Sequence, residues 1–137
     1  MRRCGPAALF LCIGTLAAYA QDDVVERQLK AAPGRDTRAG VFTDIRPDCT
    51  SGPLPAIRLA TPPAHGSVTV KRGTLKATNI KQCLAIEVPA FVAFYRASAD
   101  YSGADVFELE ISSPDGHKRR ERVHVTVTKS SNAGEGI

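Results

Sequence analysis

The chain has 137 residues, 43% of them hydrophobic and 23% charged, with a formal net charge of +4. This is a globular composition. The length excludes two full domains and any fold that needs ~250 residues, such as a (β/α)8 barrel.

Arg2 and Arg3 precede an apolar run from Ala7 to Ala18, and Ala18-Tyr19-Ala20 places small residues where a signal peptidase requires them. The pattern predicts a cleaved signal peptide over residues 1–20 and a periplasmic or secreted protein. The apolar run is short of the ~20 residues that span a bilayer, so no stable membrane insertion is expected after cleavage. Cys12 follows Phe10-Leu11 rather than small residues, which argues against a lipid anchor. Cleavage leaves 16 Lys+Arg against 14 Asp+Glu. A balance of +2 gives no electrostatic case for nucleic acid.

Cys4 and Cys12 leave with the signal, and Cys49 and Cys83 remain. In an oxidising compartment this pair predicts a disulfide, worth roughly 3–4 kcal/mol by loop entropy. Two ligands at that separation with no nearby His match no metal spacing, and neither a metal nor a cofactor is expected.

Residues 21–39 are polar, with room for at most a two-turn helix from Asp22 or Asp23 to Leu29 before Pro33-Gly34. So short a helix is marginal in water, and the segment reads as a flexible leader. From 40 to 128 the pattern is β. Runs rich in β-branched and aromatic residues cover 40–44, 56–61, 66–71, 74–78, 91–96, 105–112 and 119–128, with turn residues between them. Seven such runs predict an all-β sandwich or barrel. Residues 129–137 read as a disordered tail.

Pro114-Asp115-Gly116 sets the register of the last two strands. With these three as the loop, Phe107 faces Val123, Glu108 faces Arg122 and Glu110 faces Arg120. Phe107, Leu109 and Ile111 then share a face with Val123, Val125 and Val127. The basic run from His117 to Arg122 is thereby largely neutralised, leaving Lys118 and Arg119 unpaired at the tip.

Thr61-Pro62-Pro63-Ala64-His65-Gly66-Ser67-Val68 is followed by Tyr95, by Tyr101-Ser102-Gly103-Ala104-Asp105-Val106-Phe107, and by Asp115-Gly116 with a valine-rich final run. Over about residues 56–128 this resembles the bacterial Ig-like, cadherin-like repeat domains of cell-surface proteins. The likeness implies an Ig-like antiparallel β-sandwich of about seven strands at 40–128. It also implies fold roles for His65, Gly66, Tyr101, Gly103, Asp105 and Phe107, with Tyr101 as a corner tyrosine. The chain departs from the repeats at Ala97, where they carry Pro, in its cysteine pair, and in having one copy without interdomain calcium motifs.

No Gly-x-Ser-x-Gly elbow, phosphate-cradling Gly loop or Cys-x-x-Cys pair occurs, so no catalytic residue is nominated and an enzyme is not expected. Asp100, Asp105 and Asp115 could meet at a calcium ion only if the fold gathered six or more oxygens. The expected function is that of a non-enzymatic binding or structural accessory module of the envelope. Its partner would be an envelope or extracellular protein, met by loops or an edge strand, with His117, Lys118 and Arg119 as the contact. The alternative is an exported protein that binds carbohydrate or an anionic polymer, or less readily a hydrolytic accessory. The absence of Trp leaves few aromatic platforms for sugars.

Overall fold

The computed structural model describes Gly14, residues 23–80 and residues 82–129. The expected signal segment, Gly14 apart, and residues 130–137 of the expected tail lie outside these residues. Seven strands follow in chain order: β1 (Asp23–Ala31), β2 (Asp36–Phe42), β3 (Ala56–Thr61), β4 (Gly66–Ile80), β5 (Cys83–Ala97), β6 (Gly103–Ser112) and β7 (Lys118–Val127). They form a four-stranded sheet, β1-β7-β6-β3, and a three-stranded sheet, β2-β5-β4. Neighbouring strands are antiparallel except β1 and β7, which run parallel.

The two sheets share one core. Phe42, Ala93, Tyr95 and Ala97 come from the smaller sheet, and Phe107, Leu109, Ile111, Val123, Val125 and Val127 from the larger. Alternation along β6 and β7 puts every second side chain inward, and the Tyr95 and Phe107 rings stack with centroids 5.7 Å apart. The register of the last hairpin follows from its turn: Phe107 pairs with Val123, Glu108 with Arg122 and Glu110 with Arg120.

Two expectations are corrected. Residues 21–39 are not a flexible leader over their described part, because they carry β1 and the start of β2. β1 is polar because it is an edge strand with only Ala31 buried and Leu29 partly so. Nine backbone pairs with β7, from Asp23–Arg119 to Ala31–Val127, order it instead of a hydrophobic face. A ladder to a partner some 95 residues away leaves no local signature. Gly34, at φ 70°, turns the chain between β1 and β2, and its N–H donates to Ala97 O at 2.9 Å.

The second correction concerns the middle of the chain. The runs at 66–71 and 74–78 are one 15-residue strand, β4, and β5 begins at Cys83 rather than Phe91. Gly73 sits within the unshifted ladder opposite Ala90. Pro89 is tolerated inside β5 because its nitrogen faces away from β4. Its carbonyl accepts the Thr43 hydroxyl at 2.7 Å on the β2 side, and β2 ends its pairing at Phe42–Phe91, two residues short of this proline. A residue without an N–H cannot continue that ladder. The number of runs expected equals the number of strands, but only because β1 was missed while β4 was divided.

Beyond Phe91 the β4–β5 hairpin therefore continues as a two-stranded arm. A second apolar cluster serves it: Cys83, Ile86 and Val88 are buried with Leu75, Ala77, Ile80, Ile45 and Cys49 around them. The Cys49–Cys83 disulfide joins the arm to the 44–52 loop, and Gln82 Nε2 donates to Pro47 O at 2.6 Å.

Candidate functional site

The β6–β7 turn is held by its own backbone. Ser113 N–H donates to His117 O at 2.8 Å, Gly116 N–H donates to Ser113 O at 2.9 Å, and His117 N–H donates to Asp115 Oδ1 at 2.9 Å. Gly116 has φ 90°, which suits glycine. This turn forms one wall of a cleft of about 420 Å³, within the range of small-ligand or side-chain pockets. The end of β2 supplies Phe42, Thr43 and Asp44, the approach to β3 supplies Pro53 and Pro55, and Ile111, Ser113, Asp115 and Arg119 complete it. The buried Phe42 and Ile111 are among its lining residues, with two carboxylates and one guanidinium beside them.

The three nominated contact residues part company here. His117 and Lys118 are exposed at the tip. Arg119 lines the cleft and is not unpaired: its Nη2 lies 3.3 Å from Glu121 Oε1. Glu121 is buried, only 1% exposed. It also receives Arg27 of β1, whose Nη2 donates to Oε1 at 3.2 Å and whose Nε lies 3.0 Å from Oε2. A buried carboxylate needs such partners, since an uncompensated one costs several kcal/mol. Sequence reasoning missed Glu121, although alternation places it on the face of Val123, Val125 and Val127. The gathering of Phe42, Asp44, Pro53 and Pro55 had no local signal, because tertiary packing creates it.

The rest of the basic run is neutralised on the outer face of the larger sheet. Arg122 donates to Glu108 Oε1 at 2.8 Å and to Glu26 Oε1 at 3.0 Å. Arg120 lies 3.6 Å from Glu108 and 4.0 Å from Glu110, and Arg58 donates to Glu110 at 3.0 Å. His124 Nε2 sits 2.6 Å from Glu26 Oε2. The Arg122 and Arg58 hydrogen bonds hold the Glu108 and Glu110 carboxyls below the ordinary glutamate range.

The other nominated residues, Phe107 in mid-strand apart, lie toward the start of β6, with Asp105 about 20 Å from Ile111 of the cleft by the rise of a strand. Asp105 is buried and accepts from Ala64 N (3.0 Å), His65 N (3.1 Å), Val106 N (2.9 Å) and the Tyr95 hydroxyl (2.8 Å). The His65 ring stacks on Tyr101 with centroids 3.8 Å apart, and the Tyr101 hydroxyl donates to Ala104 O at 2.5 Å. Gly103 has φ 135°, and a Cβ there would meet that hydroxyl at 3.0 Å. A Cβ on Gly66 would stand 2.4 Å from Arg96 O. Phe107 is fully buried between the sheets. Asp105 and Asp115, at opposite ends of β6, cannot share a cation. Among the described residues no three His, Cys, Asp or Glu side chains gather as a metal site.

Comparisons with known families, characterised proteins and solved structures returned no match to the chain.

Proposed function

We propose that the chain is an exported, single-domain Ig-like module that binds a protein partner of the cell envelope through the cleft at its hairpin end, without catalysing a reaction. The cleft carries this reading. It is concave and lined by the buried Phe42 and Ile111 together with Asp44, Asp115 and the Glu121-held Arg119, a set suited to seating a side chain of a partner. Ends of sandwiches, where loops from both sheets meet, are common binding surfaces.

The strand orders support the Ig-like assignment. The chain alternates between sheets, β2 to one, β3 to the other, β4 and β5 back, then β6 and β7, with the first strand beside the last. That is the connectivity of a Greek-key sandwich. The disulfide is compatible with export. No helix among the described residues is long and apolar enough to cross a membrane.

The test is an in situ crosslinking pull-down of the tagged mature protein, with and without Lys118→Ser and Arg119→Ser. One stoichiometric protein is expected, with recovery lowered on the order of tenfold in the double variant. Unchanged recovery from a variant that keeps its melting temperature removes the cleft. Capture of a polysaccharide that is released by about 1 M salt, where screening shortens to ~3 Å, would favour the anionic-polymer alternative.

A further inference from the structure

We propose that the free edge of β4 accepts an extended acidic segment of the partner protein as an added strand. The inference rests on the reading of the chain as a binding module and names the chemistry of what it binds.

β4 lies at the edge of its sheet and pairs with β5 along its length without a register shift. The Pro89 carbonyl faces β2, so odd-numbered residues of β5 point their backbone groups that way and even-numbered ones point to β4. Ser98 N–H donating to His65 O at 2.9 Å has the parity this requires. By the same alternation, Val68, Val70, Arg72, Thr74, Lys76 and Thr78 turn their N–H and C=O groups outward. No backbone partner for these outward groups occurs among the described residues.

The other edges are blunted. β3 has six residues, a register shift and Pro62-Pro63 after it. β2 has seven residues and a shift at Ala39. β1 carries charges of both signs. β4 differs in length, in regularity and in charge.

β4 has Lys71, Arg72 and Lys76 and no acidic residue. None of the three lies within ion-pair distance of a carboxylate among the described residues, although Glu87 of β5 stands opposite Lys76 in the ladder; Arg27, Arg58, Arg96, Arg119, Arg120 and Arg122 each have such a partner. Lys71 instead sits over the Phe94 ring, 5.6 Å from its centroid. A second copy of β4 would set these cations against their own kind, which is destabilising. An acidic chain satisfies both the open ladder and the open charge, by the strand addition many peptide-binding domains use. Lysines on an edge also deter unwanted pairing, and the experiment separates the two roles.

The probe is a ten-residue peptide alternating Glu and Val, added to the disulfide-intact mature protein. Amide exchange at Arg72, Thr74 and Lys76 is expected to slow by at least ~10-fold. A Lys–Val peptide should have no effect, and neither should the Glu–Val peptide N-methylated on the groups that would pair. Thr74→Pro removes an outward N–H without touching the β5 ladder, and it should abolish protection. Unchanged exchange at saturating peptide overturns the proposal. So does equal binding of the N-methylated peptide, which needs no folded variant, or dimerisation of the free protein through β4. Recovery of a partner through the cleft without β4 protection would sink this inference alone. Protection of β4 with no partner recovered would sink the cleft reading alone.

Discussion

Asp105 shows how much one carboxylate can organise. Four donors converge on it from the β3–β4 connection, β5 and its own strand, and an acceptor-only group is the one side chain that satisfies them all. Asp105→Asn turns one acceptor into a donor facing donors. It is expected to cost about 1–3 kcal/mol in urea unfolding, and a loss under 0.5 would contradict the arrangement. Burial, reinforced by the hydrogen bond to Asp105, pushes the Tyr95 hydroxyl above its ordinary pKa. Its contribution is therefore present below about pH 10 and lost as pH rises through the higher folded value. Phe107, packed on the same ring, should cost about 3–5 kcal/mol when cut to Ala. At the opposite end, Glu121 is buried only because Arg27 and Arg119 meet it. This charge crossing from β1 ties the first strand to the cleft.

At the scale of elements, backbone pairing and side-chain pattern do different work. β1 is ordered by its ladder to β7, so alternate amides over residues 24–31 should resist hydrogen exchange, and free exchange throughout would contradict the strand. The ion ladder on the outer sheet has a defined pH signature. Hydrogen bonds lower the folded pKa of Glu108 and Glu110, so their contribution is complete above the unfolded value of about 4.3 and is lost as pH falls through the folded values. Melting temperature should hold between pH 7 and 5 and fall below about 4, and Glu108→Gln should flatten that fall. The last hairpin was legible in the sequence because its turn, its alternation and its Glu–Arg pairs agree on one register. β6 and β7 also bury clean apolar faces. β1 was not legible because a polar edge strand has no period to read. β4 was divided because Gly73 looks like punctuation yet costs only entropy inside a long ladder. The pairing of Arg119 was not legible because the register of the hairpin pairs Arg120 and Arg122 across strands, whereas the partner of Arg119 is Glu121 on its own strand, buried and also met by Arg27 from β1.

The whole molecule has two ends with different characters. One is closed by the Asp105 and Tyr101 contacts. The other opens into the cleft, and from that end the β4–β5 arm runs on past Phe42 with its own small core. The Cys49–Cys83 bridge holds the arm to the loop beside the cleft. Replacing both cysteines with Ser should cost about 2–5 kcal/mol. Exchange should rise around Ile86 and Val88 before it rises around Phe107 and Val125, and a uniform rise would deny the arm its separate core. A free-thiol count on denatured, unreduced protein beginning at Gln21 should give none, and a count of two would contradict the bridge. The proposed binding function requires a partner to be met at the cleft end of the sandwich. A photocrosslinking residue placed at Asp115 or at Thr126, at opposite ends of the sandwich, tests this in the producing cells. One protein adduct is expected from position 115 and none from 126; adducts only from 126, or the same adducts from both, would contradict binding at the cleft.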